Sequence, residues 1–237
     1  MVTFDYVSDL HIDYWDKKYT KTVQKHQPMK WYNNSDILII AGDISNDLNL
    51  SIKYITEEIK PHYKKILFID GNREHYDSYP IVKDINLKLP KNIHYLPQED
   101  IRINNTIFIG ICGWWNYSQS KNIEHISIYK KSNIEYNILI KKIEKYEKDS
   151  KIKEIVLVTH TVPLPRFVRF KDTDFNNNFI KINVGRYKKI KRWIFGHVHH
   201  KYFLKGCGIA YMCNPRGRPN DFNQGNYEIE TTFINKL

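Results

Sequence analysis

Asp9 with His11, Asp43, Asn72, His160, and His197 with His199 are the residues of this chain whose types and spacing could do chemistry. Carboxylates, imidazoles and an amide carbonyl in this mixture suit two divalent ions such as manganese, iron or zinc, held a few ångström apart by one shared carboxylate. Singly, each has a plainer use. Asp9 or Asp43 alone reads as a carboxylate capping a strand-to-helix turn. His197 and His199 can face one side together only if the backbone between them is extended. It is the position of all seven that argues for the joint reading.

Each member stands where a short apolar run stops. Val2-Thr3-Phe4-Asp5-Tyr6-Val7 ends in Ser8-Asp9-Leu10-His11, and Ile37-Leu38-Ile39-Ile40-Ala41 ends in Gly42-Asp43. Ile66-Leu67-Phe68-Ile69 ends in Asp70-Gly71-Asn72-Arg73-Glu74, Ile155-Val156-Leu157-Val158 in Thr159-His160, and Trp193-Ile194-Phe195 in Gly196-His197-Val198-His199. Such runs predict strands buried on both faces, and ligands bind at the C-terminal edge of an α/β sheet. By contrast His26, His62, His94, His125 and His200 have no matching partners and read as surface or packing residues.

The intervening segments read as helices and turns. Leu48, Ile52, Ile55 and Ile59 have helical spacing within Asp47 to Lys60, stopped by Pro61, and a second helix is expected from Ile81 to Leu89 between Pro80 and Pro90. Residues Asn133 to Lys148 predict an amphipathic helix. Ile93 to Tyr95, Ile101 to Ile103 and Ile107 to Cys112 predict short strands, with Asn104-Asn105 as a hairpin turn. Strands near Ile209 to Met212 and Tyr227 to Phe233 are expected to close a second sheet. Asp13 to Asn34, with Trp15, Tyr19, Trp31 and Tyr32, is irregular and reads as a short helix or a flap beside the site. Without repeat, linker or low-complexity tail, residues 1 to 237 are expected to form one domain.

Three cysteines among 237 residues, with no paired spacing, exclude a disulfide framework and favour a reducing compartment. No apolar run reaches the length of a membrane span, so a soluble, cytoplasmic protein is expected. The formal net charge of +11 allows attraction of nucleic acid or nucleotides. The lysines are dispersed, however, as they are when a compositional bias fills solvated positions. The oligomeric state is left open.

The order Asp-x-His, Gly-Asp, Gly-Asn-x-Glu, His, Gly-His-x-His resembles the calcineurin-like metallophosphoesterase superfamily over nearly the whole chain. The resemblance implies a four-layer α-β-β-α sandwich with two mixed β-sheets. It implies that Asp9, His11 and His199 hold one divalent metal and Asn72, His160 and His197 a second, with manganese the working metal in vitro. Asp43 would bridge them together with a water or hydroxide, which two cations make available near neutral pH. Asp43, Asn72, Arg73 and His160 form the catalytic set on this reading, and Glu74 supports the turn that presents Asn72.

One position departs from the pattern. Most of the superfamily has histidine after Gly-Asn, and here it is Arg73. Arginine stays charged and cannot serve as a general acid, but its fork can hold a phosphate oxygen. The Gly-Asn-Arg variant is similar to that of UDP-2,3-diacylglucosamine hydrolases, whose leaving phosphate needs little protonation. Either this points to phosphodiester or pyrophosphate substrates of a nucleotide-like small molecule, or Arg73 marks a member with impaired catalysis. Further candidates for substrate binding are His75, Trp114, Arg166, Arg169 and Arg216. Trp114, Trp115 and Tyr117 could stack on a base or serve as core and cover. Arg166, Arg169 and Lys171 could take a second phosphate or form a solvated basic loop. Arg216 lies in Asn214-Pro215-Arg216-Gly217-Arg218-Pro219, which resembles the Asn-Pro-Gly-Ser turn of relatives and, with arginines in place of the small residues, is expected to face the same cleft. A metal-dependent nuclease is the alternative activity. A non-catalytic scaffold with this fold, like the retromer subunit, has no need of seven ligands.

Overall fold

The computed structural model describes residues 2–20, 26–32, 34–78, 87–118, 121–168, 182–221 and 227–234. In chain order the elements are β1 (Val2–Val7), α1 (Ile12–Trp15), β2 (Ile37–Ala41), α2 (Leu48–Tyr54), β3 (Lys65–Ile69), β4 (Ile93–Tyr95), β5 (Ile101–Ile103), β6 (Thr106–Ile111), α3 (Ile123–Lys148), β7 (Glu154–Thr159), β8 (Ile190–Ile194), β9 (Tyr202–Gly206), β10 (Ile209–Cys213) and β11 (Glu230–Ile234).

Two mixed sheets result. The first runs β11-β1-β2-β3-β4, parallel except for β11 against β1. The second runs β5-β6-β7-β8-β10-β9, parallel at its centre with an antiparallel strand at each edge. Alternation along each strand gives every sheet two apolar faces. Phe4, Ile39, Leu67 and Ile69 of the first sheet meet Phe108, Val156, Val158 and Met212 of the second. Phe4 and Phe108 pack edge to face at 5.7 Å. The outer face of the first sheet buries Leu38, Ile40, Ile66 and Phe68 against Tyr54, Ile55 and Ile59. That of the second buries Ile107, Ile109 and Leu157 under Leu139 and Ile143 of α3. The four layers are those the resemblance implied.

Local differences have physical causes. Asp47 caps α2 by accepting from the Leu50 amide at 2.7 Å, but the helix widens into a π turn over Ile55–Ile59 and tightens over Lys60–His62, where Pro61 ends it. The third helix begins well before Asn133. Asn122 caps it by accepting from the Glu124 amide at 2.8 Å, and the exposed Ile123 and Ile126 had blurred its periodicity. The helix expected over Ile81 to Leu89 lies largely outside the described residues, and Leu87 to Leu89 are not helical. Of the two late strands, β10 joins the second sheet whereas β11 lies beside β1 in the first. There Thr231 donates to the buried Asp5 at 2.6 Å.

Helix α3 is tied to the aromatic loop after β6 by one buried acid. Glu135 Oε2 accepts from the amides of Gly113 and Trp114, each at 3.0 Å, and Ser132 donates to the Trp114 carbonyl at 2.6 Å. Burial pushes the Glu135 carboxyl up to about 8. A folded pKa raised above the unfolded value means the folded state holds the extra proton, so stability falls as pH rises from the ordinary glutamate range through about 8. Glu135→Gln keeps the accepting oxygen and removes the ionisation. It is expected to be near neutral at acid pH and to stabilise by about 1–2 kcal/mol in mildly alkaline buffer, read by urea unfolding across pH.

Candidate metal centre

Five strand ends, β1, β2 and β3 of one sheet and β7 and β8 of the other, bring the seven residues to one place. The backbone there is strained. Asp9, His11, Asp43 and His197 have φ of 50°, 46°, 55° and 72°, a left-handed conformation that non-glycine residues seldom adopt outside functional turns. Close approach fixes the neighbouring glycines. A Cβ on Gly71 would lie 2.2 Å from Asp43 Oδ1, and one on Gly196 would lie 2.9 Å from Asp9 Oδ2.

The donors fall into two sets. His11 Nε2 and His199 Nε2 are 2.9 Å apart, with Asp9 Oδ1 3.6 Å from the latter. On the other side Asn72 Oδ1 lies 3.1 Å from His160 Nε2 and 3.2 Å from His197 Nδ1. Asp43 stands between them, Oδ1 3.3 Å from His160 and Oδ2 4.0 Å from His11. Asp9, His11 and His199 place ligand atoms within 4.8 Å of one another, as do Asp9, Asp43 and His160. Two imidazole nitrogens that converge beside buried carboxylates fit a cation between them, and the donor chemistry suits borderline divalent ions.

The buried charges of the centre act strongly on one another. Burial opposes ionisation of Asp43, yet His160 and His11 hold its carboxyl below the usual range. Burial would likewise depress His160, but the Asp43 carboxylate outweighs it and pushes the imidazole up to about 10. For His197, burial and then the His160 charge hold the ring down at about 3. Asp43 therefore draws positive charge while His197 stays neutral.

Supporting groups hold these side chains in place. Glu74 is buried and accepts from the amides of Asp43 (3.0 Å), Ile44 (2.6 Å), Ser45 (3.3 Å) and Gly71 (2.7 Å) and from the Ser51 hydroxyl (2.9 Å). It fastens the Asp43 loop to the Asn72 loop and carries the role expected of it. His160 Nδ1 bonds the Ala41 carbonyl at 2.9 Å, and Asp221 holds His199 Nδ1 at 2.5 Å.

Substrate contacts expected from sequence fare unevenly. The Arg73 amide donates to Asp43 Oδ1 at 2.8 Å, while its guanidinium donates to Asn46 Oδ1 at 2.8 Å and to the Tyr14 hydroxyl at 3.4 Å, at the rim of the centre. His75 is corrected: it is buried, paired with Asp70 at 2.6 Å and packed on Trp114. Trp114 is also corrected, being 1% exposed within a core cluster. The next residue, Trp115, reaches the centre instead, donating from Nε1 to His197 Nε2 at 3.3 Å. Arg166 lies over Phe167 and Tyr211 on the outer face of the second sheet. Arg216 is buried over the Trp15 ring at 4.5 Å and donates to the Gln27 carbonyl, so its guanidinium supports the loop. Arg169 and Lys171 lie outside the described residues. Sequence reasoning missed Tyr14, Asn46 and Asp221, which carried no signal, whereas Arg218 belongs to the turn whose arginines were expected at the cleft.

Comparison with known proteins agrees with this geometry. The chain is 29% identical to uncharacterized protein L509 of Acanthamoeba polyphaga mimivirus, over 98% of both chains. It is 24% identical to a probable cyclic nucleotide phosphodiesterase of Vesicomyosocius okutanii, over 88% of this chain and 83% of that one. Its fold superposes on phosphopantetheinyl hydrolase from Mycobacterium tuberculosis with a TM-score of 0.65 at 14% identity, covering 98% of this chain and 96% of the other. The calcineurin-like phosphoesterase family model matches residues 2–201, so the chain belongs to that family of dinuclear, metal-dependent phosphoric ester hydrolases.

Proposed function

We propose that this chain is a phosphodiesterase or pyrophosphohydrolase acting on a small, nucleotide-like substrate. The observation that carries the dinuclear part of the reading is Asp43, which turns one oxygen toward His160 at 3.3 Å and the other toward His11 at 4.0 Å. A carboxylate placed in this way can be shared. Asp9, His11 and His199 would hold one ion, Asn72, His160 and His197 the other, and Asp43 both. When bound, the ions acidify a water and neutralise phosphoryl oxygens. The chain's own groups orient the substrate. Arg73 offers a fixed fork to a phosphate oxygen but no transferable proton, which favours leaving groups that depart unprotonated. Trp115, packed on His197 with ring centroids 5.5 Å apart, sets one wall. The phosphodiesterase name of the 24% identical relative supports a diester substrate.

The test is hydrolysis of bis-p-nitrophenyl phosphate and p-nitrophenyl phosphate side by side, before chelation, after it and after manganese is restored. Activity is expected to vanish with chelation and return with metal, with the diester turned over faster than the monoester. A simple alkyl monoester as best substrate would overturn the diesterase assignment. The net charge of +11 keeps a nuclease in view. A nuclease would lose DNA or RNA cleavage steeply between low and moderate salt, whereas small-substrate turnover should change little.

A further inference from the structure

We propose that Arg218, acting with Arg73 and Tyr14, binds a second phosphate, so that the substrate is a diphosphate in which two phosphates share an oxygen. This rests on the metal-dependent hydrolase reading above. Arg218 is carried to the centre by its turn. The Gly217 amide donates to the Asp9 carbonyl at 2.9 Å, and Gly217 itself has φ of 74° beside His199. The Arg218 amide donates to Asp221, the carboxylate that also holds His199. The guanidinium then lies over the Tyr14 ring, 5.3 Å from its centroid, and that ring packs edge-on to His11 at 5.9 Å.

Two features separate this arginine from a structural one. Arg216, two residues earlier, spends its guanidinium on Trp15 and a backbone carbonyl. Arg218 has a buried Nε with no hydrogen-bond partner, and among the described residues its guanidinium forms no ion pair. Asp13 feels the charges of both Arg73 and Arg218, but among the described residues it forms no ion pair with either, and its Oδ1 is buried without a partner. Meanwhile Arg73 donates to the hydroxyl of the same tyrosine at 3.4 Å. Two cations are thus gathered around one phenol beside the metal centre, an arrangement that suits an anion with oxygens for both.

The number of anionic oxygens decides which anion. A single phosphodiester carries one negative charge over two non-bridging oxygens, which bound divalent ions would already neutralise. A linked second phosphate adds charge and oxygens for the two forks gathered around the Tyr14 phenol. In the reaction, a water oxygen bonds to the attacked phosphorus and the bridging P–O bond breaks. Its electron pair stays on the departing phosphate, and the water protons pass to the product phosphates and solvent. The departing phosphate is a weak base, so no side-chain acid is needed, in keeping with an arginine at position 73.

Competition tests this directly. Methylenediphosphonate and methylphosphonate are compared as inhibitors of bis-p-nitrophenyl phosphate hydrolysis in wild type, Arg218→Met and Arg218→Lys. Wild type is expected to prefer the diphosphonate by about 30-fold or more, Arg218→Met to drop below about 5-fold, and Arg218→Lys to fall between, since charged forks bind phosphate in pairs of hydrogen bonds. An unchanged preference in Arg218→Met overturns the subsite, while diester turnover in the same assay leaves the hydrolase reading standing. If no protein turns over the diester, that reading fails. Thermal protection of the manganese-loaded protein by methylenediphosphonate, lost in Arg218→Met and kept in part in Arg218→Lys, then still reports the subsite, and equal protection in all three sinks it. Melting curves without inhibitor identify any variant that has not folded.

Discussion

Asp43→Asn is expected to lower kcat/KM for a phosphodiester by at least about 10³-fold, roughly 4 kcal/mol of transition-state stabilisation, with the fold intact. The substitution changes one atom, and the surroundings dictate how the amide sits. The Arg73 amide donates to Oδ1 at 2.8 Å and so requires an acceptor there. The amide nitrogen is left at the Oδ2 position, facing His11, which lies 4.0 Å away. A donor would then confront the His11 and His199 set, while the His160 side keeps an oxygen. Metal analysis should therefore find about one ion per chain instead of two, a readout independent of turnover. Two ions with near-normal activity would show that Asp43 is not shared.

Glu74→Ala should act on stability first, costing about 3–5 kcal/mol in urea unfolding, because removing a buried charged acceptor strands its partners. Four backbone amides and the Ser51 hydroxyl would lose their acceptor together, all of them buried around the loops bearing Asp43 and Asn72. Glu74→Gln should be little better, since its amide group would turn a donor toward donors. Activity falls as well, but the two variants part on the unfolding curve, where Asp43→Asn, which leaves the Glu74 hydrogen bonds in place, loses less than Glu74→Ala. A loss under about 1 kcal/mol for Glu74→Ala would mean the loops hold themselves.

The seven converging residues were legible because each follows an apolar run, and the end of such a run is a local signal. Strand ends in parallel register share an edge, so a list in sequence became a cluster in space. Direction beyond the backbone was not legible. Trp114 and Trp115 are adjacent and identical and share one buried cluster, yet Trp115 also packs on His197 while Trp114 packs on His75. Arg216 and Arg218 differ likewise, one captured by Trp15 and the other left at the centre. His75 was lost to Asp70, a pairing that only the folded turn creates. The partner of β11 was hidden for another reason. Tyr6 and Glu230 pair across most of the chain, and period-2 alternation names a strand without naming its neighbour.

His11 and His199 stand 188 residues apart in sequence and 2.9 Å apart in space. The other donor set spans from Asn72 to His197, so neither is encoded within a short stretch. During synthesis, then, a ribosome-bound chain owns no finished cage until its last histidines have emerged and the second sheet has closed upon the first. Such long-range pairings form late and slowly, because the loop-closure entropy must be met before they return anything. Metal capture would accordingly mark the end of assembly. A chain that had misdocked its sheets would remain chelator-indifferent, and its failure to take up metal would betray the misfold.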